Sequence, residues 1–187
     1  MPATPVFEAH LPQGRPFTWD DLQTIPGSSL GYQLIGGALL VTPSPGSAHQ
    51  SCVAMMWRLL HDARPPGMVA KLAPFDIVPA PGESYQPDVL VARRADVGPL
   101  RMEVAPVLVV EVLSPSTRVL DPTGKRRVYA DMGIDHYWIV DPDEPSVVAM
   151  RLDGGDYVEV ARAAGATRMA VTEPFPVSIV PTDLLSE

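Results

Sequence analysis

Apolar residues recur along the chain in two rhythms. Between Ser47 and Arg64, the residues Val53, Met56, Trp57 and Leu60 follow helical spacing and predict an amphipathic helix over roughly 48–63, stopped by Pro65, Pro66 and Gly67. Elsewhere, short β-branched and aliphatic runs lie between Gly and Pro clusters. YQLIGGALLV (32–41) reads as a strand pair or bent hairpin turning at Gly36 and Gly37, and MVAKLAPFDIV (68–78) as one strand or two. DVLVAR from Asp88, the run 107–113 and HYWIVDP (136–142) read as further strands. VVAMRL, DYVEVARA and PVSIVP suggest an antiparallel tail with a turn at Gly154 and Gly155.

Two shorter helices have start signals of their own. Thr18 followed three residues later by Asp21 fits a capping box for TWDDLQTI, ended before Pro26. Asp121 as N-cap with Pro122 in the first helical position opens PTGKRRVYADM, and Gly133 ends it. The order predicts an α/β fold with a mixed β-sheet flanked by helices and a strand-rich C-terminal part. If helix 122–132 is a crossover, strands 107–113 and 136–141 are parallel neighbours. Residues 18–187 form one domain in this reading, after a loose Pro-rich arm over 1–17, with no repeat or linker.

Composition adds limits. The chain has 187 residues, 46% of them apolar, which suits one domain with a sizeable core. Its formal charge of -8 argues against broad attraction to nucleic acid while leaving room for a local basic patch, such as Arg118, Arg126 and Arg127. Cys52 is the one cysteine, so no internal disulfide or thiolate metal cluster can form, and its expected role is a small buried side chain. No signal peptide and no apolar run of membrane-spanning length is visible, so a cytoplasmic location is the default expectation.

One position conflicts with its surroundings. Glu111 stands in PVLVVEVLSPS (106–116), the least polar run of the chain. A buried carboxylate must be paired, hydrogen-bonded or bound to a metal, because an unpaired one costs several kcal/mol. Asp88 opens another short apolar strand, directly after Pro87. Two strands with a carboxylate each can offer hard oxygen ligands to Mg²⁺ or Mn²⁺, and such an ion activates water and offsets charge growing on a phosphate. Lys125 lies in the first turn of a helix, where a cation is mildly unfavourable for the helix dipole. It could orient water or hold phosphate, or pair with Asp121 four residues before it. Tyr129 shares its face. His49, with Gln50, sits near a helix start, and Ser114 follows Glu111 in a Pro-broken turn. No paired Cys/His pattern or HExxH is present, which argues against zinc.

PDVLV (87–91), LVVEVLSPST (108–117), Asp121, Lys125, Tyr129 and GIDHYWIVDP (133–142), together with YQLIGGALLVTPSPGSAHQ (32–50), resemble the Uma2 family. That resemblance implies a restriction-endonuclease-like, PD-(D/E)XK core and metal-dependent hydrolysis of phosphodiester bonds, in DNA by expectation. It implies Asp88 and Glu111 as metal ligands, with Lys125 as the catalytic lysine, displaced from Leu113 to the following helix. It also implies that Glu111 lies at a sheet edge or bend near the surface. Gln33, His49, Ser114, Asp121 and Tyr129 are candidates for the outer metal shell or for phosphate. The family opening resembles YELIDGELV; here Gln33 and Ala38 stand at its glutamates and Gly36 at its aspartate, which implies weaker metal affinity. Two further readings stay open: a nuclease-fold module that binds nucleic acid or protein without cleaving, and a homodimer built on Tyr137, Trp138 and the tail.

Overall fold

The computed structural model describes residue 12 and residues 14–25, 30–114 and 122–185. Its α-helices are α1 (Trp19–Leu22), α2 (Ser47–Ala63) and α3 (Pro122–Asp131). Its strands are β1 (Gly31–Ile35), β2 (Ala38–Thr42), β3 (Met68–Leu72), β4 (Asp76–Ile77), β5 (Val89–Arg93), β6 (Arg101–Met102), β7 (Leu108–Val112), β8 (His136–Asp141), β9 (Ser146–Asp153), β10 (Asp156–Ala164), β11 (Met169–Val171) and β12 (Val177–Ile179).

Six strands form the main sheet in the order β10-β9-β8-β7-β5-β3. β7 and β8 run parallel and are joined through α3, as the crossover reading requires; the other pairs are antiparallel. β1 and β2 make a separate hairpin, whose two-residue turn needs left-handed backbone at Gly36 (φ 58°) and Gly37 (φ 75°). The Thr18–Asp21 capping box is present at α1.

Period-two alternation divides the core. Val89, Val91, Leu108, Val110, Val112, Trp138 and Val140 face α2 and the C-terminal strands. Leu90, Val109, Tyr137 and Met150 face Tyr129 and Ala130 of α3. Each large apolar side chain buried in this way stabilises the fold by about 1.5–3 kcal/mol.

Two expectations need correction. The sheet has β7 in its interior, so Glu111 lies near the C-terminal end of an inner strand and not at a sheet edge. Tyr137 and Trp138 are 2% and 0% exposed, one in each core layer, and cannot form a surface interface. The connector after β5 contains β6, and β11 precedes β12 in the tail; both are too short for a visible period. Arg15 and Phe17, at the end of the segment read as an arm, are bonded to Asp21 and to the Gly37 carbonyl. Most of that segment lies outside the described residues.

Candidate active site

The site grows from the end of β7. All five of its residues are buried, and alternation sends Val109 and Glu111 toward α3. Glu111 is 8% exposed. α3 presents Lys125 and Tyr129 four residues apart, hence on one face. Lys125 Nζ lies 2.8 Å from Glu111 Oε2, and the Tyr129 hydroxyl donates to Glu111 Oε1 at 2.6 Å. Both carboxylate oxygens therefore have partners.

Asp88 precedes β5. The β5–β7 register pairs Val89 with Val110, so one further step places Asp88 across from Glu111 on the same side of the sheet. Its Oδ2 accepts the Val112 backbone N–H at 2.7 Å and lies 3.3 Å from His49 Nε2. His49 comes from the first turn of α2, which begins without a side-chain cap or an acid. Two carboxylates, an ammonium, a phenol and an imidazole thus meet at one end of the sheet.

Electrostatics make this a strained arrangement of charge. Burial raises the Glu111 proton affinity most; Lys125 opposes it, Asp88 adds to it, and the hydrogen bonds from Lys125 and Tyr129 oppose it, with a raised pKa as the result. Burial lowers the His49 pKa, but the Asp88 hydrogen bond and charge, the Val112 backbone and Glu111 together leave it raised. Burial, then Glu111, pushes the Tyr129 hydroxyl well above the ordinary range, so it stays a donor.

Gln33 is buried, and its Oε1 accepts the Gln86 backbone N–H at 3.2 Å; it is attached to the chain two residues before Asp88. Ala38 is exposed on the hairpin. Ser114 lies half-buried two residues beyond β7. Asp121 and Arg118 fall outside the described residues. Arg126 and Arg127 are paired with Asp156 and Asp131. The groove lined by Trp19 and 95–104 contains none of the site residues.

Sequence reasoning passed over Asp76 and Gln86. Asp76 is 8% exposed and stands between Phe75 and Ile77, the same signal of an acid among apolar neighbours that singled out Glu111. Gln86 carries no such signal.

Among the described residues no three His, Cys, Asp or Glu side chains are gathered as a metal cluster. The donor set still suits a hard divalent ion. Asp88 and Glu111 stand one register step from each other at the sheet end, the Asp88 charge adds to the cost of ionising Glu111, and a cation between them would relieve that cost.

The family described as "Putative restriction endonuclease", Uma2, matches residues 19–183. Among solved structures, one described as a "putative nuclease belonging to DUF820 from Anabaena variabilis ATCC 29413" superposes with a TM-score of 0.67 at 20% identity, covering 91% of this chain and 98% of that one. At that identity the likeness shows a shared fold. The comparison with curated proteins finds no match.

Proposed function

This chain belongs to the Uma2 family, and from that premise we propose that it is an endonuclease that hydrolyses phosphodiester bonds, in DNA, with Mg²⁺ or Mn²⁺ held by Asp88 and Glu111. One observation carries the proposal: Lys125 Nζ stands 2.8 Å from Glu111 while Asp88 faces Glu111 one register step away. The bound ion would supply a polarised water and a counter-charge for the phosphate.

The remaining roles belong to side chains of the chain itself. The Lys125 amine stands 2.8 Å from Glu111 Oε2, where it can orient water or hold a phosphate oxygen. Tyr129 fixes the Glu111 carboxylate by donating to its second oxygen. His49 and the Val112 N–H hold Asp88. No helix among the described residues is long and apolar enough to cross a membrane. A homodimer would bring two such sites to the two strands of a duplex.

The test is Mn²⁺ calorimetry on the native chain and on Glu111→Gln, followed by cleavage of plasmid and single-stranded substrates. Micromolar binding lost in the variant supports the proposal. Absence of binding at millimolar Mn²⁺, with and without DNA, removes it.

A second reading is a nuclease-fold module that binds nucleic acid or protein without cutting. It is favoured by the engagement of both Glu111 oxygens by Lys125 and Tyr129. It requires that nucleic-acid binding survive Glu111→Gln with no cleavage by either form.

A further inference from the structure

A second buried polar cluster takes no part in the chemistry above. The Trp19 indole donates to Asp76 Oδ2 at 2.7 Å, and Asp76 Oδ1 accepts from the Ser84 hydroxyl at 3.2 Å and the Gln86 side-chain amide at 2.8 Å. Gln86 is held a second time through its backbone N–H, which donates to Gln33 Oε1. Only Pro87, with its fixed φ, separates Gln86 from Asp88.

The position of this cluster matters because backbone pairing thins out there. Leu34 and Ser84 exchange backbone hydrogen bonds of 2.9 and 3.0 Å, and Ile77 and Tyr85 exchange another pair. β5 then begins at Val89. Across 86–88, the backbone pairing among the described residues is one bond, from the Ala73 N–H to the Asp88 carbonyl at 3.1 Å. Side chains bridge that gap: Asp76 from β4 and Gln33 from β1 converge on Gln86.

We infer that Asp76, Gln86 and Gln33 form a brace whose function is to position Asp88, and hence its carboxylate, opposite Glu111. They are positioning residues, and the inference rests on the proposed role of Asp88. It also assigns Gln33 a task that needs an acceptor oxygen and no charge, so a neutral amide at this position costs the site nothing. The metal affinity expected from the sequence to be weak for want of an acid at 33 is, on this assignment, unaffected by that residue.

The Val112 N–H reports directly on Asp88, because it donates to Asp88 Oδ2 at 2.7 Å. The experiment is amide hydrogen exchange in the metal-free full chain and in Gln86→Leu, Asp76→Asn, Gln33→Ala and Gln33→Glu, with Asp88→Ala as reference and Mn²⁺ calorimetry on each. Gln86→Leu and Gln33→Ala should speed exchange at Val112 toward the Asp88→Ala rate while β9 amides keep theirs. Mn²⁺ affinity should fall about tenfold in both. Gln33→Glu should retain native exchange and native affinity. The brace is overturned if a folded Gln86→Leu leaves Val112 exchange and Mn²⁺ affinity unchanged, if all amides accelerate together, or if Gln33→Glu tightens Mn²⁺ binding. If Asp76→Asn does not fold, Gln86→Leu and Gln33→Ala still decide. If the native chain binds no Mn²⁺, the metal proposal fails and the exchange result still decides the brace.

Discussion

Asp76 and Glu111 are both acids, both 8% exposed, and both set in apolar strands, yet the protein satisfies them in opposite ways. Asp76 meets three neutral donors from Trp19, Ser84 and Gln86. Glu111 meets an ammonium and a phenol and lies one register step from a second carboxylate on the same side of the sheet. A carboxylate enclosed by neutral donors is held in place and has its lone pairs occupied. A carboxylate held between a cation and a like charge is left electrostatically poised, and a divalent ion can take part in it. Burial alone therefore does not mark a site; the sign of what surrounds the acid does.

The largest effect expected is on Lys125→Met. Removing the ammonium should cut the rate of phosphodiester cleavage about 10²–10³-fold. It should also destabilise the metal-free chain by about 3–5 kcal/mol, since a buried carboxylate loses its counter-charge. Denaturant melts with and without Mn²⁺ check this: the ion should restore much of the loss. Equal loss in both conditions would break the contrast with Asp76.

Asp76→Ala should cost about 1–3 kcal/mol for each donor left unsatisfied inside the protein, and Mn²⁺ should restore little of it. Tyr129→Phe is smaller. It removes one donor to Glu111, costing about 1–3 kcal/mol, and should raise the Glu111 pKa further, measurable by carboxylate NMR against the native chain.

The pH dependence sharpens the same contrast. The folded Glu111 pKa is raised, chiefly by burial. Its contribution to stability is therefore fully present below the ordinary value of 4.5 and is lost as pH rises through the raised folded value. The stability difference between the native chain and Glu111→Gln should shift against the native chain across that window, and Mn²⁺ should reverse the shift. A flat difference would show that Glu111 is not poised.

The smallest effects serve as controls away from both acids. Thr18→Ala removes the α1 cap and should cost about 1 kcal/mol without touching metal binding. Cys52 is 1% exposed, with its pKa pushed up to about 11 mainly by burial, so thiol reagents should label it only under unfolding conditions.

Much of the fold was legible along the chain because it rests on local physics. Helical spacing marks α2, Gly36 and Gly37 mark the hairpin turn, the Thr18–Asp21 box marks α1, and α3 followed by β8 implies a crossover. β6 and β11, two and three residues long, are shorter than any period; β6 pairs with β4, distant in sequence, and β11 with the nearby β12. Glu111 stood out as a polar residue in an apolar run. Asp76 carried the same signal in a shorter run and was passed over. Gln86 had none, since an amide in a polar loop looks ordinary until its neighbours are known.

The sequence by itself determined which residues alternate, where helices start and stop, and which acids must be buried, because those follow from side-chain period, caps and the cost of dehydrating charge. Only the tertiary structure decided what each acid faces. Strand register places Asp88 across from Glu111, helix packing carries Lys125 and Tyr129 over it, and loop closure directs Asp76 and Gln33 to Gln86. Those pairings join residues up to 53 positions apart, as Gln33 and Gln86 are. Only the assembled sheet and its packed helices bring such distant groups within hydrogen-bonding reach.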